Sequence, residues 1–186
     1  LMDKSFVCTG KGSADVPFGC FQMLGELSIG FDYPGAAQPV TATRYERALS
    51  LNDAIASATY EVNGITYTRE YFASFGDDVG VIRLTASKPG QLNCRVGISR
   101  PERAVISTSG TELQMAGELE SGTANPGMKY LTRVQAKLRD GRLSAVNDTL
   151  VIKEATEVIL YISTATNFKD PGYKEKTKQL LQVAMK

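Results

Sequence analysis

Asn63-Gly64 constrains this chain more than any other pair of residues. It separates Ala54 to Val62 from Ile65 to Phe75, two runs rich in Thr, Tyr, Val and Ile. Asn and Gly both tolerate positive φ, which primed two-residue turns require and whose twist matches that of paired strands. The stretch therefore predicts a long antiparallel hairpin. Its two strands are expected at the centre of a sheet, with shorter strands from before and after pairing against them.

The rest of the chain repeats this grammar. From Leu27 to Tyr33 the odd positions are apolar, as in a half-buried strand, and Pro34-Gly35 stops it. Arg44 to Leu51 is a further strand, turned by Asn52-Asp53 into the hairpin. After Gly76-Asp77-Asp78, Val79 to Ala86 predicts a strand, and Lys88-Pro89-Gly90-Gln91 a turn. Leu92 to Ser99 alternates apolar and polar, which puts one face in a core and the other in water.

Glu112 to Glu118 is a short strand, residues 121–127 a loop, and Lys129 to Arg139 a long alternating strand. Asp140-Gly141 reads as a second hairpin turn leading into Arg142 to Val146, and Asn147-Asp148 as another before Leu150 to Lys153. Asn147-Asp148-Thr149 is formally a glycosylation acceptor, but Asn-Asp is also an ordinary turn pair. Val158 to Ile162 is a continuous apolar run, consistent with a strand covered on both faces. About ten such strands predict an all-β antiparallel sandwich of two large sheets over residues 1–168. Residues 169–186 change character: Tyr173, Thr177, Leu180, Leu181 and Met185 fall near helical spacing and predict a C-terminal helix, read as a connector.

Composition excludes more than it assigns. With 21 basic and 20 acidic residues the chain has no electrostatic case for nucleic acid. No apolar run approaches the ~20 residues of a membrane helix. The opening Leu1-Met2-Asp3-Lys4 reads as an interior cut or a cloning remnant, so the absence of a signal peptide says nothing about localisation. Histidine is absent, which removes Ser-His and Cys-His nucleophile pairs and nearly every catalytic zinc arrangement. Cys8, Cys20 and Cys94 lack CxxC spacing, and no cofactor or metal is indicated. Cys94 alternates inward with Leu92, Val96 and Ile98 and is expected to be a small core residue; Cys8 and Cys20 are free to pair or not. Gly10-Lys11-Gly12-Ser13 lacks the spacing of a phosphate loop and reads as an irregular lead-in.

Carboxylate and aromatic chemistry remain. Glycosidic hydrolysis uses two carboxyl groups roughly 5 to 10 Å apart. Glu61 and Glu70, on the hairpin, would face each other across it or sit on a wet sheet face. Asp77-Asp78 would ligate a hard cation or simply turn the chain. Tyr67, Arg69 and Tyr71 share one strand face. That face is either a solvent-facing platform for sugar or cross-strand packing.

Several collinear motifs go further. Gly19-Cys20-Phe21-Gln22-Met23-Leu24-Gly25-Glu26-Leu27, Tyr45-Glu46-Arg47-Ala48-Leu49-Ser50-Leu51 and residues 62–74 occur in this order. They are followed by Leu113 to Gly117, Gly127 to Tyr130 and Leu160 to Phe168. Together they resemble the N-terminal domain of glycoside hydrolase family 95, over nearly the whole chain. Ser50 stands where that family usually has Asp, and Met23 where Pro is common.

The resemblance implies α-L-fucosidase or α-L-galactosidase activity in the parent protein, by inverting hydrolysis. It also implies a β super-sandwich, a helical linker and an (α/α)6 catalytic barrel, with a periplasmic or extracellular location. The catalytic Glu, Asp and Asn residues belong to that barrel, so no catalytic residue is assigned to this chain. The partners implied are the barrel of the same polypeptide and its glycan substrate. Gln22, Gly25 and Glu26 are the expected contribution to the sugar cleft. The alternative is an autonomous carbohydrate-binding module with Tyr67, Arg69 and Tyr71 as its platform.

Overall fold

The computed structural model describes residues 23–119 and 127–186. The lead-in with Cys8 and Cys20, Gln22, and residues 121–126 of the predicted loop at 121–127 lie outside the described residues.

Among the described residues, twelve strands build two antiparallel sheets. In chain order they are β1 (Glu26–Asp32), β2 (Thr43–Ser50), β3 (Ile55–Val62), β4 (Ile65–Ser74), β5 (Val79–Ala86) and β6 (Leu92–Ser99), then β7 (Val105–Ser109), β8 (Glu112–Glu118), β9 (Lys129–Arg139), β10 (Arg142–Val146), β11 (Thr149–Ala155) and β12 (Glu157–Thr166). Helix α1 (Tyr173–Ala184) follows. The larger sheet runs β2-β3-β4-β5-β12-β9-β8-β7, and the smaller β1-β6-β11-β10.

The Asn63-Gly64 hairpin forms as expected, with φ of 52° and 69° and Val62 opposite Ile65. Its position differs from expectation. β3 and β4 are the second and third strands of eight, and the centre falls on β5 and β12. The long strand β12 pairs with both β5 and β9 and pulls the middle of the sheet toward itself. The second sheet has four strands among the described residues, so the sandwich is lopsided.

Asp140-Gly141 is a second correction. Both residues have positive φ, as a primed turn needs, yet β9 and β10 belong to different sheets. The turn is a corner that carries the chain from one layer to the other. Thr156 Oγ1 donates to Asp140 Oδ2 at 2.9 Å and Thr156 N to the Arg139 carbonyl at 3.0 Å, which ties the corner to the entry of β12. The true β10–β11 hairpin turns at Asn147-Asp148, where Thr149 Oγ1 donates to the Asn147 carbonyl at 3.3 Å.

The core lies between the sheets. Leu84, Val134, Val158 and Leu160 of the larger sheet and Val96, Leu150 and Ile152 of the smaller are completely buried. Cys94 is buried and free among them, the small core residue its alternation predicts. Asn93, expected in water, is buried instead. Its Oδ1 accepts the Glu154 N–H at 3.1 Å, where β11 bulges and Glu154 takes φ of 57°.

Helix α1 is not free-standing. Tyr173, Thr177 and Leu181, one turn apart on a single face, are buried against the outer side of the larger sheet. Leu181 packs with Val79 and Val81 of β5 and beside Ile159 and Tyr161 of β12. The apolar run of β12 is thereby explained: even positions face the sandwich core and odd ones face the helix.

Candidate functional site

The larger sheet overhangs the smaller one. β6 and β11 sit over β5 and β8, whereas every residue of β2 except Ser50 is exposed. On the overhanging inner face, antiparallel register sets side chains in rows. Arg47 is opposite Ala58, which is opposite Arg69; Leu49 is opposite Ala56, which is opposite Tyr71; Tyr60 is opposite Tyr67. The two alanines leave a trough between taller walls. The result is an open cavity of about 600 Å³ whose lining includes Tyr33, Tyr45, Arg47, Tyr60, Arg69 and Tyr71.

Arg69 is fixed in place by aromatic residues. Its Nε and Nη2 donate to Tyr60 Oη at 3.2 and 2.6 Å, and Tyr60 Oη lies 2.7 Å from Tyr33 Oη. The guanidinium carbon sits 4.1 Å from the Phe31 ring centroid and 4.8 Å from that of Tyr60. Such stacking stabilises a cation by about 0.5 to 2 kcal/mol, depending on how dry the site is. Burial, and then the Tyr33 hydrogen bond, push the Tyr60 phenol well above the ordinary tyrosine range. Burial pulls Arg69 downward, but the Tyr60 hydrogen bond and neighbouring tyrosine oxygens outweigh it, and the net shift is upward. At neutral pH Arg69 is thus a cation beside the neutral Tyr60 phenol.

The residues predicted for a sugar platform divide. Arg69 and Tyr71 line the cavity, while Tyr67 is 3% exposed and stacks on Tyr60 with centroids 5.6 Å apart. Tyr67 therefore presents no face to solvent.

The expected cleft segment lies at the other end of β1, roughly 20 Å from Phe31 at 3.4 Å per residue. Gly25 fits against the opposite wall: a Cβ there would lie 2.7 Å from the Ser99 carbonyl and 2.8 Å from the Met115 methyl. Close backbone approach accounts for that glycine. Glu26 is exposed and opens β1 opposite Ser99. Arg100 reaches across to the Met23 and Leu24 carbonyls and stacks over Tyr130, fastening this end. The structure does not bring Gly25 and Glu26 together with Arg69 and Tyr71.

Glu61 and Glu70 do not face each other. Glu61 is opposite Thr66 and Glu70 opposite Ser57, on the outer face, and each has its own arginine: Arg44 at 3.1 Å and Arg83 at 2.9 Å. Asp77 is a turn residue, its carboxylate accepting from Ser74 Oγ at 2.7 Å. The same Ser-x-x-Asp device recurs at Ser50 and Asp53, also at 2.7 Å, so Ser50 closes the β2–β3 turn. Among the described residues no group of three or more Cys, Asp or Glu is arranged to hold a metal ion.

Tyr33, Tyr45, Arg47 and Tyr60 are cavity residues that sequence reasoning left unassigned. Counting outward from Asn63-Gly64 pairs Ala58 with Arg69 and Tyr60 with Tyr67, so part of the cluster was within reach of the turn alone. Arg47 lies on β2, which the Asn52-Asp53 turn joins to β3, whereas Tyr33 directly follows β1, whose partner β6 no local signal specifies.

Comparison with known proteins places the architecture. Residues 3–171 match the family described as glycosyl hydrolase family 65, N-terminal domain. "Alpha-L-fucosidase 2" of Arabidopsis thaliana is 36% identical over 176 residues, a match spanning 83% of this chain and 21% of that protein. Among solved structures, "Putative kojibiose phosphorylase from human microbiome" superposes with a TM-score of 0.53 at 8% identity, covering 84% of this chain and 24% of that one. That last likeness concerns the fold alone. The family match spans the described sandwich and reaches the approach to α1: this chain belongs to the glycosyl hydrolase family 65 N-terminal domain family.

Proposed function

We propose that this chain is the non-catalytic N-terminal β-sandwich of a family 95-type α-L-fucosidase. In this reading the sandwich buttresses a catalytic (α/α)6 barrel, with residues 169–186 as the approach to it. The 36% identity to an α-L-fucosidase, confined to 21% of that protein's length, carries the reading. The chemistry agrees with it. Most glycosidases use two carboxyl groups flanking the scissile bond, and no carboxylate lines the 600 Å³ cavity. On the sheet faces Glu61, Glu70, Glu112 and Glu157 are all held by arginines.

The test is direct. The 186-residue chain is assayed on an aryl α-L-fucoside, alone and joined to the downstream sequence of its parent. No turnover by the chain alone and hydrolysis by the longer protein are expected. Turnover by the chain alone that vanishes when one of its own carboxylates is replaced would falsify the proposal.

A second reading, an autonomous carbohydrate-binding module, draws support from Arg69 and Tyr71 lining an open cavity. It predicts glycan-array binding by the isolated chain.

A further inference from the structure

Two arginines face the trough with no carboxylate near them. Arg47 and Arg69 lie in one row on either side of Ala58. Strands are about 4.8 Å apart, so their Cα atoms are separated by roughly 10 Å across a side chain that fills almost none of the gap. Among the described residues neither forms an ion pair, whereas Arg44, Arg83, Arg133, Arg139 and Arg142 all do. Arg69 is also preorganised: Nε and Nη2 are committed to tyrosine hydroxyls, and Nη1 makes no hydrogen bond among the described residues. A cation held beside an open cavity by rings and phenols, without a counter-charge, has capacity left for an anion.

The neighbouring rows define what else the ligand carries. Tyr45 is 60% exposed and Tyr71 half-buried at the cavity wall, so each offers an aromatic surface to the apolar C–H face of a pyranose. Ala56 and Ala58 keep the floor flat between them. The family is one of glycoside hydrolase domains, which makes a saccharide the ligand class.

We propose that the trough between β2 and β4 binds an oligosaccharide bearing an anionic substituent, a carboxylate or a sulfate, which sits over Ala58 between Arg47 and Arg69 while sugar rings on either side of it lie against Tyr45 and Tyr71. The inference rests on family membership and on this geometry, not on the fucosidase reading. A chain that binds such a sugar and a parent that hydrolyses fucosides are separately measurable.

Titration calorimetry of the chain with trigalacturonate, a sulfated galactotriose and neutral galactotriose tests it. At least one charged ligand is expected to bind about tenfold or more tightly than the neutral one, with affinity falling as salt rises. The stronger of the two identifies the substituent. Arg47→Gln removes one guanidinium from an exposed position and is expected to lose about tenfold for the charged sugar only. Ala58→Leu fills the trough and abolishes binding. Circular dichroism and thermal melting verify that both variants fold, and a variant that does not fold is replaced by Arg47→Glu, which is expected to abolish binding. Equal affinity for charged and neutral sugars, no binding of either charged sugar, or an unchanged affinity in folded Arg47→Gln overturns the proposal.

Discussion

Arg133 Nε, on β9, donates a hydrogen bond to Thr177 Oγ1 of α1 at 3.0 Å. The same guanidinium pairs with Glu112 of β8, whose carboxylate also accepts from Gln114 and Gln135 at 2.6 Å each. The helix is therefore fastened by a nearly buried ionic network as well as by Leu181. Breaking such a pair strands a charge in a poorly solvated place, at a cost of about 3 to 5 kcal/mol. Arg133→Met is expected to lower unfolding free energy by that order in urea titrations. Glu112→Gln combined with Arg133→Met recovers part of the loss, since no lone charge is left behind.

Tyr60 provides an alkaline signature. Its phenol is held neutral by burial and by the Tyr33 hydrogen bond, next to Arg69. Tyr67, Tyr130 and Cys94 are likewise pushed up by burial. The folded state keeps protons that the unfolded chain releases once pH passes about 10 for tyrosine, so this stability is complete below that pH and is lost as pH rises toward the folded value. Chemical denaturation between about pH 9 and about pH 11 is expected to show a steep decline. Tyr60→Phe is expected to cost about 1 to 3 kcal/mol at neutral pH, because Arg69 and Tyr33 lose their shared partner, and to flatten the decline.

Cys94 is 2% exposed and its thiol is pushed up to about 12 by burial. The thiolate is the nucleophile, so the native thiol is doubly protected. Peptide mapping after iodoacetamide treatment is expected to find the Cys94 peptide unmodified in the folded chain and fully alkylated in denaturant. Rapid labelling of native protein would contradict the described core.

Gly141 holds the corner between the sheets. Its φ is +79°, and a Cβ would lie 2.4 Å from the Lys153 carbonyl and 2.7 Å from the Ala155 nitrogen. Gly141→Ala combines left-handed strain of about 1 kcal/mol or more with a backbone clash. A loss of at least 2 kcal/mol is expected in urea titrations, roughly the upper range for a strained backbone position. Gly35→Ala, at φ of +73° but in open space, is expected to lose only the smaller strain.

Local chemistry made much of the fold legible. Asn63-Gly64 and Asn147-Asp148 announced true hairpins, and the alternation of Leu92 to Ile98 gave the core face of β6. What escaped is what no local signal contains. Asp140-Gly141 has the same turn chemistry as Asn63-Gly64, but which sheet the next strand joins depends on partners far away in sequence. β7 was missed because Val105–Ser109 is a five-residue edge strand with little burial, marked only by Gly110 at φ of 61°. For the site, Tyr67, Arg69 and Tyr71 were correctly placed on one face. Their division into one buried ring and two cavity residues follows from where the smaller sheet stops, which strand periodicity cannot express. Gly25 has a packing role that the motif did not reveal: a Cβ there would crowd Ser99 and Met115.

The position of β12 between β5 and β9 also sets the order in which the molecule can assemble. Six strands separate β5 from β12 in sequence, and β9 is the nearer of its two neighbours. The meander β2 to β5 can form early, but its fourth strand keeps a bare edge until Glu157–Thr166 arrives. During synthesis that edge waits until the residues between β5 and β12 have emerged, and α1, which packs against the junction, follows β12. Long-range closure of this kind slows folding and prolongs the exposure of unpaired strands. The seam at β5 and β12 is consequently where a nascent chain is most open to mispairing with its neighbours on the polysome.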